Sequence, residues 1–122
     1  MKKLVGGLLL LGAFAFSNAQ TITFDKTTID YGTVKANSDG SKIFTFTNTG
    51  NKPLILSNVQ PGCGCTASEY TKEPILPGKK GEIKVHYNTA TVAPFKKTID
   101  VFSNDPANGR IVLYIQGTVV AQ

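Results

Sequence analysis

The stretch Ser41-Lys42-Ile43-Phe44-Thr45-Phe46-Thr47-Asn48, closed by Thr49-Gly50-Asn51, decides the fold. Its aromatic residues recur every second position, the period of a strand with one buried face. The Asn-Thr-Gly-Asn run that ends it carries the residues a turn needs. Phe44 and Phe46 are expected to share the core face, opposite Lys42, Thr45 and Thr47. Working outward, the same period recurs over 21–24, 28–31, 53–59, 82–88, 95–103 and 110–120. Pro77-Gly78-Lys79-Lys80-Gly81 and Asn104-Asp105-Pro106-Ala107-Asn108-Gly109 punctuate the later pieces, with Asn108-Gly109 suited to the positive φ angles of a tight turn. Ile83, Val85 and Tyr87 should point inward against Glu82, Lys84 and His86. Ile99 and Val101 should likewise oppose Lys97 and Asp100, and Ile111, Leu113 and Ile115 should line the core from the last strand.

Composition agrees with the pattern. After residue 19 the chain holds 9 Ile, 8 Val and 14 Thr, so β-branched residues far outweigh good helix formers. About seven short strands in about 100 residues predict an all-β chain, an immunoglobulin-like antiparallel β-sandwich, with a small Greek-key barrel as the competing architecture.

The N-terminus reads as a signal peptide over residues 1–19. Lys2 and Lys3 precede an apolar stretch from Leu4 to Phe16, and Ser17-Asn18-Ala19 places small residues where a signal peptidase reads. Cleavage is expected between Ala19 and Gln20, leaving the β-sandwich domain over 20–122. An apolar stretch of about 13 residues falls short of the roughly 20 that span a bilayer, so no membrane span is expected after cleavage. No cysteine follows the leader to carry a lipid. The expected location is periplasmic or extracellular. Without Lys2 and Lys3, 11 basic and 8 acidic side chains remain with no dense run, which argues against a nucleic-acid partner.

Cys63 and Cys65 are the only cysteines, in Gln60-Pro61-Gly62-Cys63-Gly64-Cys65-Thr66. In the chain-entropy model a bridge closing a loop of about 3 residues contributes only ~1.6 kcal/mol, so stapling the fold is a poor reason for the pair. An oxidising compartment favours a local bridge, which the flanking glycines allow by letting the backbone bend. Free thiols in the loop, a dithiol exchanging with a partner, and two thiolates presented to a soft metal stay open. Two thiolates are half a tetrahedral site, and His86, the one histidine, falls on an outward face and reads as a solvated side chain. No cofactor is implied. The chain contains no Gly-x-Ser-x-Gly elbow, phosphate-binding glycine loop or His-Glu-x-x-His, and Asp25, Asp30, Glu69, Glu73, Asp100 and Asp105 are scattered and read as surface carboxylates.

The run from Phe44 to Leu54, Cys63-Gly64-Cys65-Thr66, Pro77-Gly78 ahead of Ile83-Lys84-Val85-His86-Tyr87, and Ile99-Asp100-Val101-Phe102-Ser103-Asn104 together resemble the secreted bacterial family called domain of unknown function 1573. The resemblance runs from about Ile22 to Val119. Ala93-Pro94-Phe95 departs from it, at a turn where such domains often carry a glycine before the aromatic residue. It implies an immunoglobulin-like sandwich exported by bacteria of the Bacteroidetes kind, and it transfers no catalytic or binding residue. The expected function is therefore a non-enzymatic module that binds an envelope protein or a surface polymer through an edge strand or loops. The alternative is thiol redox or soft-metal handling through Cys63 and Cys65. A chaperone-like role is a third reading, supported by fold class alone.

Overall fold

The computed structural model describes residues 19–122, so most of the expected leader lies outside the described residues. Eight strands form two four-stranded sheets: β1 (Ile22–Phe24), β2 (Thr28–Lys35), β3 (Ser41–Asn48), β4 (Leu56–Pro61), β5 (Thr66–Tyr70), β6 (Lys80–Tyr87), β7 (Pro94–Ser103) and β8 (Arg110–Val120). The first sheet runs β1-β3-β6-β5 and the second β2-β8-β7-β4. The chain passes between the sheets five times, after β1, β2, β3, β4 and β6, and stays within one sheet only from β5 to β6 and from β7 to β8.

Alternation builds the core. Phe44, Phe46, Ile83, Val85, Ile99, Val101, Leu113, Ile115 and Val119 are all within 1% of full burial and come from both sheets, with Leu54 from the loop before β4. Tyr87 stacks on Phe95 at 4.0 Å, and Tyr31 meets Phe95 edge-on at 5.3 Å, which joins the sheets at one end.

Five details depart from the sequence expectation. First, the second sheet is mixed, because β2 pairs parallel to β8 while the remaining pairs are antiparallel; alternation assigns a strand's faces but not its neighbour or direction. Secondly, β5 was not among the expected strands, since its residues lack an apolar alternation. Thirdly, Lys42 and Lys97 sit in the inward rows, opposite Val85 and Ile115. Both are even-spaced from core residues, and Lys42 escapes by laying its amine over the Tyr31 ring at 5.2 Å. Ile111, near the sheet end, is only half-buried. Finally, Asp105 is buried, at 4% exposure, not a surface carboxylate.

Candidate functional site

The chain leaves β4 at Pro61, turns through Gly62 to Cys65, and enters β5 at Thr66. Three backbone hydrogen bonds hold this bend. Gly62 N–H donates to Thr98 O of β7 at 2.8 Å, Thr66 N–H to Cys63 O at 3.3 Å, and Asn88 N–H, beyond β6, to Cys65 O at 2.9 Å. Gly62 is needed for the first contact, because a Cβ there would stand 2.6 Å from Thr98 Oγ1; at Gly64 a Cβ would meet nothing within 4 Å. Bent in this way, the chain brings the Cys63 and Cys65 Cα atoms to 5.4 Å and their Sγ atoms to 2.06 Å, bonding distance.

The two sulfurs differ in surroundings. Both residues are half-buried, but Cys65 packs against the core cluster and Cys63 is not part of that packing. Thr66, buried at 5% exposure, places Oγ1 3.7 Å from Cys63 Sγ and 4.0 Å from Cys65 Sγ. Sequence reasoning missed Thr66, whose signal is only a β-branched hydroxyl directly after the second cysteine.

From the bend, β5 runs along the edge of the first sheet. The bonds Asn88 N–H to Cys65 O and Thr71 N–H to Glu82 O fix which residues face β6. By the antiparallel register, Ala67 and Glu69 bond to β6, while Ser68 and Tyr70 turn their backbone groups to the open side. Ser68 Oγ reaches across to Val59 O of β4 at 3.4 Å. On the outer face beside β5 lie two shallow depressions. One, about 250 Å³, is lined by Ser41, Ala67, Ser68, Glu69, Lys84 and His86; the other, about 260 Å³, by Glu69, Tyr70, Thr71, Glu82 and Lys84. A larger one of about 430 Å³ lies over the β2 bulge, lined by Asp30, Gly32, Thr33, Phe95, Lys96, Gln116, Gly117 and Thr118.

His86 is exposed and faces Ser41 across the β3–β6 pairing. A serine opposite a histidine invites a nucleophile–base reading, but Ser41 is committed elsewhere: its backbone and hydroxyl hydrogen bonds to Asp39 hold that carboxyl below the usual range. Among the described residues no three His, Cys, Asp or Glu side chains gather as a metal site. Ala19 and Gln20 stand ahead of β1, where Ala19 O accepts from Thr21 Oγ1 at 3.1 Å and the Gln20 side-chain amide donates to Asn104 O at 2.5 Å. Among the described residues no helix is long and apolar enough to cross a membrane.

Residues 22–119, spanning the whole sandwich and the Cys-Gly-Cys bend, match the model of the protein family of unknown function DUF1573. The chain belongs to this family. No curated protein matches it by sequence. Among solved structures, a DUF1573 chain such as this one is similar to a protein of unknown function from Porphyromonas gingivalis W83, at TM-score 0.74 and 15% identity, over 84% of this chain and 48% of that one. This chain thus spans about half the length of that relative. A PapD-like domain of human CEP192 matches at TM-score 0.66 and 8% identity, over 85% of this chain and 88% of that one. A chaperone–tip adhesion subunit pre-assembly complex from the Csu pili of Acinetobacter baumannii contains a chain matching at TM-score 0.56 and 10% identity, over 81% of this chain and 57% of that one. At such identities the likeness is one of fold, an immunoglobulin-like sandwich of the PapD-like kind.

Proposed function

We propose that this DUF1573 protein is an exported, non-enzymatic module that binds a protein partner by strand addition along β5. The observation that carries the reading is the open edge: Ser68 and Tyr70 present backbone donors and acceptors to the side away from β6. An incoming extended segment gains affinity from those groups and specificity from side chains seated in the flanking depressions. The exposed β5 is short and polar, with Glu69 and the adjacent Lys72 guarding it against indiscriminate pairing. The fold-level likeness to a chain from a chaperone–subunit complex supports a protein partner. Export follows from the leader over residues 1–19, with Ala19 and Gln20 flanking the cut.

The test is photo-crosslinking in the native cell. A benzoylphenylalanine at Ala67 or Glu69 is expected to trap a discrete protein band, while the same group at Asp100, on the outer face of the second sheet, traps none. Ser68→Pro removes an edge N–H and abolishes the band, and the recovered protein starts at Gln20. Equal crosslinking from both sheets, or a band that survives Ser68→Pro, overturns strand addition. Loss of the band on polysaccharide digestion points instead to a surface polymer.

A further inference from the structure

The Cys63–Cys65 pair is left unused by strand addition. Closing so small a ring constrains the unfolded chain little, and three backbone hydrogen bonds already hold the bend without help from sulfur. Opening the pair would therefore leave both thiols where they are, anchored to β7 through Gly62 and to the end of β6 through Cys65 O. A bridge that is partly exposed, contributes little to folding and keeps its geometry when reduced has the attributes of an exchanging disulfide.

We propose that Cys63 and Cys65 form an exchangeable bridge that oxidises the paired thiols of an exported protein, with Cys63 Sγ as the atom attacked. A thiolate of the partner attacks Cys63 Sγ in line with the sulfur–sulfur bond. That bond breaks, its electron pair goes to Cys65 Sγ, and the departing thiolate takes a proton from water. The partner's second thiolate then attacks the partner sulfur of the mixed disulfide, closing the partner's own disulfide and releasing Cys63 as a thiolate. Two electrons pass from the partner's thiols to the pair, and no other oxidant is consumed. Cys63 is the electrophile because Cys65 is packed on the core, which leaves the approach to Cys63 the open one. Thr66 Oγ1, 3.7 and 4.0 Å from the two sulfurs, is placed to donate to whichever thiolate is formed. Among the described residues there is no helix to lower a thiol pKa, so the bend contributes position more than acidity.

The inference is independent of strand addition. The probe is a synthetic 12-residue peptide carrying two reduced cysteines, mixed in equal amount with the exported protein purified without reductant. Alkylation and mass spectrometry should find the peptide oxidised and two new thiols on the protein in matching amounts. Far-ultraviolet circular dichroism should be unchanged, and amide shifts should move only around residues 60–68. Cys65→Ser should capture oxidised glutathione at Cys63 at least tenfold faster than Cys63→Ser captures it at Cys65. The proposal is overturned if the bridge resists the peptide until the protein unfolds, or if the exported protein is recovered with both thiols free or holding metal. Equal capture by the two variants overturns the assignment of Cys63.

Discussion

Asp105 receives three backbone N–H groups: Ile22 on Oδ2 at 3.0 Å, and Ala107 and Asn108 on Oδ1 at 2.8 and 3.0 Å. It thereby fixes β1 to the β7–β8 turn, 83 residues away. Burial pushes its carboxyl pKa up, but the three donors outweigh that and hold it below the ordinary 3.8. A carboxyl with a lowered folded pKa adds stability above its unfolded value. That stability is lost as pH falls from 3.8 through the folded pKa. Asp105→Ala should cost about 2–4 kcal/mol, since the Ile22 N–H is left buried without an acceptor while the turn N–H groups reach water. Chemical denaturation at pH 7 and at pH 3 should show the gap between wild type and variant shrinking in acid; a constant gap would assign the loss to packing. Sequence reading took Asp105 for a surface carboxylate because Asn-Asp-Pro-Ala-Asn-Gly is turn chemistry throughout. Only the docking of β1 onto that turn buries it. Asn48 reads as the end of a strand and the first residue of a turn run for the same reason, yet it is fully buried and its amide donates to Lys52 O and Ile75 O.

Among the elements, the β3–β6 pair is where the alternation of the sequence was most legible, since each strand has one apolar and one polar face. Ser41–Asn48 was expected with both bounds as found, and β6 starts two residues earlier than expected. What the pattern hides is Gly81, which faces Phe46 across the pairing. A Cβ at Gly81 would lie 2.4 Å from Phe46 Cζ, and that ring is fully buried with Phe24 packed 5.5 Å away. The ring cannot yield freely, so Gly81→Ala should destabilise by about 1–3 kcal/mol, whereas Gly64→Ala in the open bend should stay within about 0.5 kcal/mol. Paired denaturant titrations decide it, and equal effects would count against the packing account. The bounds of β2 were less legible: Gly32, at φ 68° with its N–H on Asp30 Oδ1, looks like a stop but is a bulge, after which Thr33–Lys35 rejoin β8. β5 is hidden in the sequence because its inward positions include Thr66 and Ser68, polar residues on a short edge, so no apolar alternation marks it.

At the scale of the molecule, two of the five crossings between the sheets mark two kinds of side. Where β1 passes to β2, Tyr31 in the second sheet donates its hydroxyl to Gly40 O, just ahead of β3 of the first, at 2.6 Å, and Asp105 anchors the other end. Where β4 passes to β5, the fold has the cysteine bend and an open edge. The closed side holds the sandwich together, and the open side is free for chemistry and binding. Core burial by Phe44, Phe46, Leu54, Ile83, Ile99, Leu113 and Ile115, all at 0% exposure, draws on both sheets and does not pass through the bend. The bridge should accordingly matter little to folding. A Cys63→Ala, Cys65→Ala double variant should remain folded and melt in one cooperative transition. Its loss should be no more than ~1.6 kcal/mol, the loop-entropy figure for so short a ring, or roughly 6–13 °C in Tm. Calorimetry of the exported wild type and the double variant checks this. A much larger fall would make the bend a structural staple and remove the reason to look for exchange there; a small one leaves a cysteine pair whose position, at the entrance to the exposed strand, is accounted for by reactivity.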